Sequence, residues 1–530
     1  MFFNEKKIIN KILINVSLLS IIFFSLYLSF QYSSYNTDLH HWSFILEKYY
    51  QFINNQPLFK SIYIQYGEGY LWFFYILSFF IDINLVSIGK ITGVIYALKL
   101  FLIFFFSKYF TKNSYISLFI LVIYFLTLTH IQYPWPDFFS SFFLLLSFFL
   151  IIFNNSKKNN FFIILSSFSL FLVFFFRSTY VLNIFFSFLL YFIFEFFFLK
   201  KDRRIRFLFI FFLSFFLIYI FKLYVDDNLK FWFNQSLYLA KNFIDLNPNI
   251  ILDFEINKYI YLLSRLSWHL FYPKNIFFFI FSLIYLINIY YFFFLLKLSI
   301  GKKDLFFENT HLVILFFFFG FTSIIQAIHL YEVFRLLNAG ATIFVILSIF
   351  FLDKRINLIL KRIFLFIFLI LIIKLIPQFP KSANYHIPSS DITNEKIYFE
   401  INYNNNLFGK KKLMSEYIIF YNQLREKICP FNIIMNVSIA NELSFFCEEK
   451  KYIIKVSPMA VGNQKRTLQE INESKKYNYN QNLLVISSTE LSDYQFFYKI
   501  KLPKFYRFTK SDTYMRFLHN EIYLYNIIWP

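Results

Sequence analysis

Between Tyr35 and Phe44 the chain reads YNTDLHHWSF, which sets one acid, Asp38, beside two imidazoles, His40 and His41. A carboxylate here can take a proton from an attacking hydroxyl, or hold a divalent cation such as Mg or Mn that orients a phosphate. Aspartate is also a preferred helix N-cap, and LHHWSFILEKYYQFI follows directly, so a capping role stands beside the catalytic one. Adjacent histidines on a helix point about 100° apart, so they do not easily ligate one ion together. One of them can face substrate or the Asp38 carboxylate, leaving the other at an interface. A second acid, Asp137, follows the two prolines of YPWPDFF, where it can cap a helix or face Asp38 across a cavity. Arg177 in FFFRSTY and Arg335 in AIHLYEVFRLLNAG carry planar forks suited to a pair of phosphate oxygens. His329 and Glu332 share a helical face near Arg335, and a Glu332–Arg335 pair is the plainer use of that guanidinium.

These groups stand in a chain that is 58% hydrophobic and 25% aromatic, with 86 Phe and only 9 Gly among 530 residues. Apolar runs fall at 12–30, 89–107, 115–130, 137–153, 161–176, 179–199, 207–224, 276–296, 310–328, 336–352 and 360–376. Most approach the length that crosses a hydrocarbon core of about 30 Å. The net charge of +21 would suggest nucleic acid in a soluble protein. Much of it instead lies in connectors: FFNEKKIINK, SKYFTKN, NNSKKNN, LKKDRRIR, KLSIGKKD and DKRINLILKR all carry Lys or Arg. The alternate short connectors are nearly bare, holding no base in IQYPWPD and one each at Arg177 and Arg335. This alternation predicts eleven spans with the N-terminus cytoplasmic, and it excludes nucleic acid as a partner. Outer loops then cover 31–88 and 225–275, and the C-terminal region is extracytoplasmic. No small-residue cleavage site follows the first run, which reads as a retained span.

Asp82 and Asn84 interrupt the apolar stretch after Gly69, which predicts a helix on or dipping into the outer leaflet. LKFWFNQSLYLAKNFI and INKYIYLLSRLSWHLF, in the second outer loop, have the spacing of interfacial helices. Beyond the prolines near 377 the character changes. FNIIMNV, YIIKV and NLLVISS alternate with the helical patterns MSEYIIFYNQLREKI and QKRTLQEINESKK, predicting a small α/β domain over 377–530 beside the 1–376 membrane core. Its two cysteines, Cys429 and Cys447, suit a disulfide in an oxidising compartment; two buried thiols are the alternative.

The stretch from Asp38 through His41, NNQPLF (54–59) and YGEG (66–69) resembles the first outer loop of C-type (GT-C) integral membrane glycosyltransferases, the group of the protein mannosyltransferase-like enzymes. Glu68 stands where that group commonly has proline. The resemblance implies an all-α polytopic core that moves a sugar from a polyprenyl-phosphate donor, with inversion, to a glycan, lipid or protein acceptor at the outer face of a bacterial inner membrane. It implies that Asp38 is the general base or acceptor-orienting group, Asp137 a second acid, and Arg335 a clamp on the lipid phosphate. A surface-polysaccharide polymerase or ligase, and a transporter or flippase of lipid-linked intermediates, are the competing readings. The absence of an internal repeat and the scarcity of glycine in the spans disfavour the transporter.

Overall fold

The computed structural model describes residues 2–33, 39–127, 135–157, 160–237, 276–300, 310–327, 337–376, 397–401, 405–409, 419, 423–438, 441–444, 447, 452–454, 456, 464–474, 482–501 and 521–527. The apolar runs form α1 (Phe2–Ser33), α4 (Leu85–Thr111), α5 (Ser114–Thr127), α6 (Pro136–Lys157), α7 (Asn160–Phe176), α8 (Tyr180–Phe198) and α9 (Arg203–Val225). They continue as α11 (Ile276–Ile300), α12 (Thr310–Thr322), α13 (Ala341–Leu352) and α14 (Leu358–Leu375). Between α1 and α4 lie α2 (Leu39–Ile53) and α3 (Gly69–Leu77), and α10 (Leu229–Trp232) runs into a π-turn, Phe233–Leu237. Among the described residues, α1, α4, α6, α8, α9 and α11 are long and apolar enough to cross a membrane. Apolar helices α5, α7, α12 and α13 are shorter. The protein is thus built as a polytopic membrane protein, since helices this apolar on all sides need lipid or one another around them.

Small residues let the helices close on each other. A Cβ at Gly93 would come within 2.3 Å of the Ser29 Cβ, so glycine is what allows α4 to lie against α1. Along the α6–α7 seam, Ser140 Oγ donates to the Val173 carbonyl at 2.8 Å and Ser169 Oγ to that of Phe143 at 2.8 Å. Asn84, one of the residues that interrupt the apolar run after Gly69, caps α4 through a reciprocal box with Ser87.

The tail holds a hairpin of β1 (Ile397–Ile401) and β2 (Asn405–Gly409), and a mixed sheet of β3 (Ile433–Val437), β4 (Tyr452–Ile453), β5 (Leu483–Ser487), β6 (Tyr498–Lys501) and β7 (Glu521–Ile527). The sheet order is β4-β3-β5-β7-β6, with β3 parallel to β4 and β5, and β7 antiparallel to β5 and β6. Period-two alternation divides its two faces. Ile433, Met435, Val437, Val485, Tyr525 and Ile527 pack under Ile471 of α15 (Gln464–Ser474). Ile434, Leu484, Ile486, Ile522 and Leu524 belong to the same continuous apolar core as the helical bundle. That junction runs through α2, which lies against the 3₁₀ turn Asn441–Ser444, while Gln51 Nε2 donates to the Ile453 carbonyl at 3.3 Å. Cys429 and Cys447 are joined as a disulfide beside this turn.

Candidate functional site

The chain between α2 and α3 is held in an unusual shape. Asn55 and Phe59 have φ of 59° and 61°, a region that bulky side chains rarely enter. The Gln235 amide fixes this turn by donating to the Phe59 carbonyl at 2.8 Å and accepting from the Ile64 N–H at 3.0 Å. Ser236 Oγ donates to the Ile64 carbonyl at 2.7 Å. The next residues, Tyr66–Gly69, are clamped onto the end of α7. The Ser178 N–H donates to the Tyr66 carbonyl at 3.0 Å, and Trp232 Nε1 donates to Ser178 Oγ at 3.2 Å. A Cβ at Gly67 would sit 2.2 Å from the Phe175 carbonyl oxygen, so only glycine permits this contact.

Glu68 ties this turn to two helices. It is fully buried, and its carboxylate accepts from the Tyr219 hydroxyl at 2.7 Å and from Trp72 Nε1 at 2.9 Å. The side chain therefore fastens the turn to α9 as well as to α3.

The clamp sets Tyr66 over a buried charge cluster. The Arg177 guanidinium carbon lies 4.4 Å from the Tyr66 ring centre, a cation–π contact. Arg177 Nε is 3.5 Å from Asp137 Oδ1 and donates to Thr179 Oγ1 at 3.1 Å. Thr179 Oγ1 in turn donates to Gln326 Oε1 at 2.8 Å. Asp137 stands in the first turn of α6, whose positive end favours an anion. One turn further along α6, Ser141 Oγ accepts from Lys99 Nζ at 2.5 Å, and Asn338 Oδ1 accepts from the same ammonium at 3.1 Å. The Lys99 ammonium also lies 4.7 Å from the Phe138 ring centre. Lys99, Asp137 and Arg177 are all at most 1% exposed.

The cluster is incompletely satisfied. Among the described residues, neither Asp137 oxygen, nor Arg177 Nη1, nor the Tyr124 and Tyr180 hydroxyls has a hydrogen-bond partner. Buried polar atoms of this kind are rare and expensive, so each calls for a physical reason. The opposite end of α8 is built differently. There Glu195 accepts from Arg206 Nη2 at 2.7 Å and from the Asp202 N–H at 2.7 Å, and Tyr191 Oη meets His311 Nδ1 at 2.8 Å. That network closes on itself and has the character of a structural lock.

Of the residues singled out by the sequence, Asp137 and Arg177 are brought together. Asp137 is not a hydrogen-bonding cap in this arrangement, since both its oxygens lack such a partner among the described residues. Asp38, His329, Glu332 and Arg335 lie outside the described residues, as does the amphipathic run 256–271. His40 and His41 fall in the first turn of α2, with their side chains outside the described set. Among the described residues there is no group of three or more His, Cys, Asp or Glu side chains placed to hold a metal ion. Sequence reasoning passed over Lys99, and it named Glu68 only as a departure from a motif. The signal for Lys99 was a single charge inside a long apolar run, which the membrane makes costly by itself.

No protein-family model and no curated protein matches the chain.

Proposed function

We propose that the protein is an inverting membrane glycosyltransferase that takes a sugar from a polyprenyl-phosphate donor and passes it to a glycan, lipid or protein acceptor. The observation that carries this reading is the buried Asp137–Arg177 pair, incompletely hydrogen-bonded and held directly beneath the clamped Tyr66–Gly69 turn. In this reading the chain crosses a bacterial inner membrane eleven times, and the site faces outward. An acceptor hydroxyl attacks the anomeric carbon as the bond from that carbon to the phosphate oxygen breaks. Negative charge grows on the departing polyprenyl phosphate, where a guanidinium such as Arg177 stabilises it. The hydroxyl proton passes to a carboxylate, assigned to Asp38 on the sequence motif alone, with Asp137 holding the Arg177 fork in place.

The test is sugar transfer by protein in lipid nanodiscs, supplied with a panel of polyprenyl-phosphate sugars and a pooled acceptor extract. Donor should be consumed by the wild type and survive with Asp38→Asn or Arg177→Ala. Donors that stay intact with every protein, or full transfer by Asp38→Asn, would move the polymerase and flippase readings ahead.

A further inference from the structure

Among the described residues, Lys99 is a charged residue of this end of the bundle that neither the capping of a helix nor a direct ion pair accounts for. It sits in the interior of α4, fully buried, with two of its three N–H donors on Ser141 and Asn338. Ser141 lies one turn past Asp137 on α6, so the ammonium is anchored to a position one turn further along that helix than the carboxylate. The Asp137 carboxylate is claimed by Arg177, at 3.5 Å. Glu68 is turned to Trp72 and Tyr219. Counted formally over the described Lys99, Asp137 and Arg177, two cations face one carboxylate, all buried, in a place where an uncompensated ion is strongly disfavoured. Arg177 Nη1, also unsatisfied, belongs to the same cluster.

We propose that Lys99 is the second cation of an anion site, holding the phosphate of a polyprenyl phosphate together with Arg177. This rests on the donor class proposed above and adds a residue to it. Arg177 offers a planar fork near the mouth of the bundle, while Lys99 offers a single charge anchored one turn further along α6. A phosphate bridging the two would bring one to two negative charges to these two cations and one carboxylate. Ser141 and Asn338 position the ammonium, since they fix its place without neutralising it.

The experiment measures equilibrium binding of a short-chain polyprenyl monophosphate to the full-length protein in nanodiscs, with the matching polyprenol as the uncharged control. Wild type should prefer the phosphate. Lys99→Met should lose about tenfold or more of that affinity, and Lys99→Arg should recover part of it. A polyprenyl phosphate bearing a photoreactive group on its first isoprene unit should label peptides of α4 and α6 in the wild type, a readout that needs no variant to fold. If Lys99→Met is folded, by its thermal midpoint, and binds like wild type, Lys99 is a structural residue and the proposal is overturned. Labelling that avoids α4 and α6 overturns it as well. A wild type that binds phosphate and polyprenol alike removes the anion site altogether, and the donor class proposed for the protein falls with it.

Discussion

At the residue scale, Asp137 and Arg177 act as one unit, and their substitution should show it. Asp137→Asn leaves Arg177 without its carboxylate in a buried setting. Transfer is expected to fall by about 100-fold or more, with the double variant Asp137→Asn/Arg177→Ala no worse than the poorer single one. Additive losses in that cycle would show that the two side chains act separately. Glu68 has a different job. Glu68→Ala strands the Tyr219 hydroxyl and the Trp72 indole, so stability should drop by about 1–3 kcal/mol, read as a lower thermal midpoint in detergent. Glu68→Gln, which keeps an acceptor oxygen, should lose less. Asp137 and Arg177 were legible as isolated charges at the ends of apolar runs. Their pairing was not, because it joins two connectors forty positions apart and only packing brings those together. Glu68 read as a lapse from a motif because its partners, 4 and 151 residues away, are visible only in the fold.

At the scale of elements, the connection between α2 and the tail sheet stands out. Glu47 and Lys48 of α2 form a buried pair at 3.1 Å near this junction, and burial pushes the Glu47 carboxyl above its ordinary range despite the neighbouring ammonium. The disulfide closes an 18-residue separation next to the turn that α2 contacts. Replacing both Cys429 and Cys447 by Ser should destabilise the tail by about 2–4 kcal/mol and make it the first segment to be cleaved in limited proteolysis. An unchanged proteolytic pattern would show that the sheet is held by its apolar contacts alone. Helix starts give a pH test. Asp202 caps α9, accepting from the Arg204 N–H at 2.9 Å and from its guanidinium. Burial raises its pKa, but the Arg204 hydrogen bonds outweigh that and leave it below the usual carboxylate range. Its contribution is therefore full above an unfolded value of about 3.9 and is lost as pH falls through the lower folded value. Asp202→Asn should remove this part of the low-pH dependence of the thermal midpoint and cost about 1 kcal/mol at neutral pH. The strands β3 and β5 and the helix α15 were foreseeable from their alternating and helical patterns. Strands β6 and β7 were not singled out, and the sharing of one sheet face with the bundle has no local sequence signal.

At the scale of the whole molecule, charge distribution and helix length make separate statements about the membrane. Among the described residues, six helices have the length and hydropathy to cross by themselves, and α5, α7, α12 and α13 are shorter. Shorter apolar helices can still span when packed among longer neighbours or extended by their flanking residues. The basic connectors carry the expectation for orientation, because Lys and Arg resist transfer across the membrane whatever the helix length. The 199–202 connector, with Lys200 and Lys201 exposed next to the Asp202–Arg204 cap, is the sharpest place to ask. In a Cys429→Ser/Cys447→Ser background, Lys201→Cys should react with a membrane-impermeant maleimide only after cells are permeabilised. The wild-type cysteines, once reduced, should react in intact spheroplasts. Both results together place α8 and α9 as an inward-closing hairpin and put the Asp137–Arg177 end of α8 on the opposite side, facing out. Labelling of Lys201→Cys in intact spheroplasts would invert the protein. It would also put the charge cluster on the cytoplasmic face, where nucleotide-activated donors are available and a lipid-linked donor is no longer required.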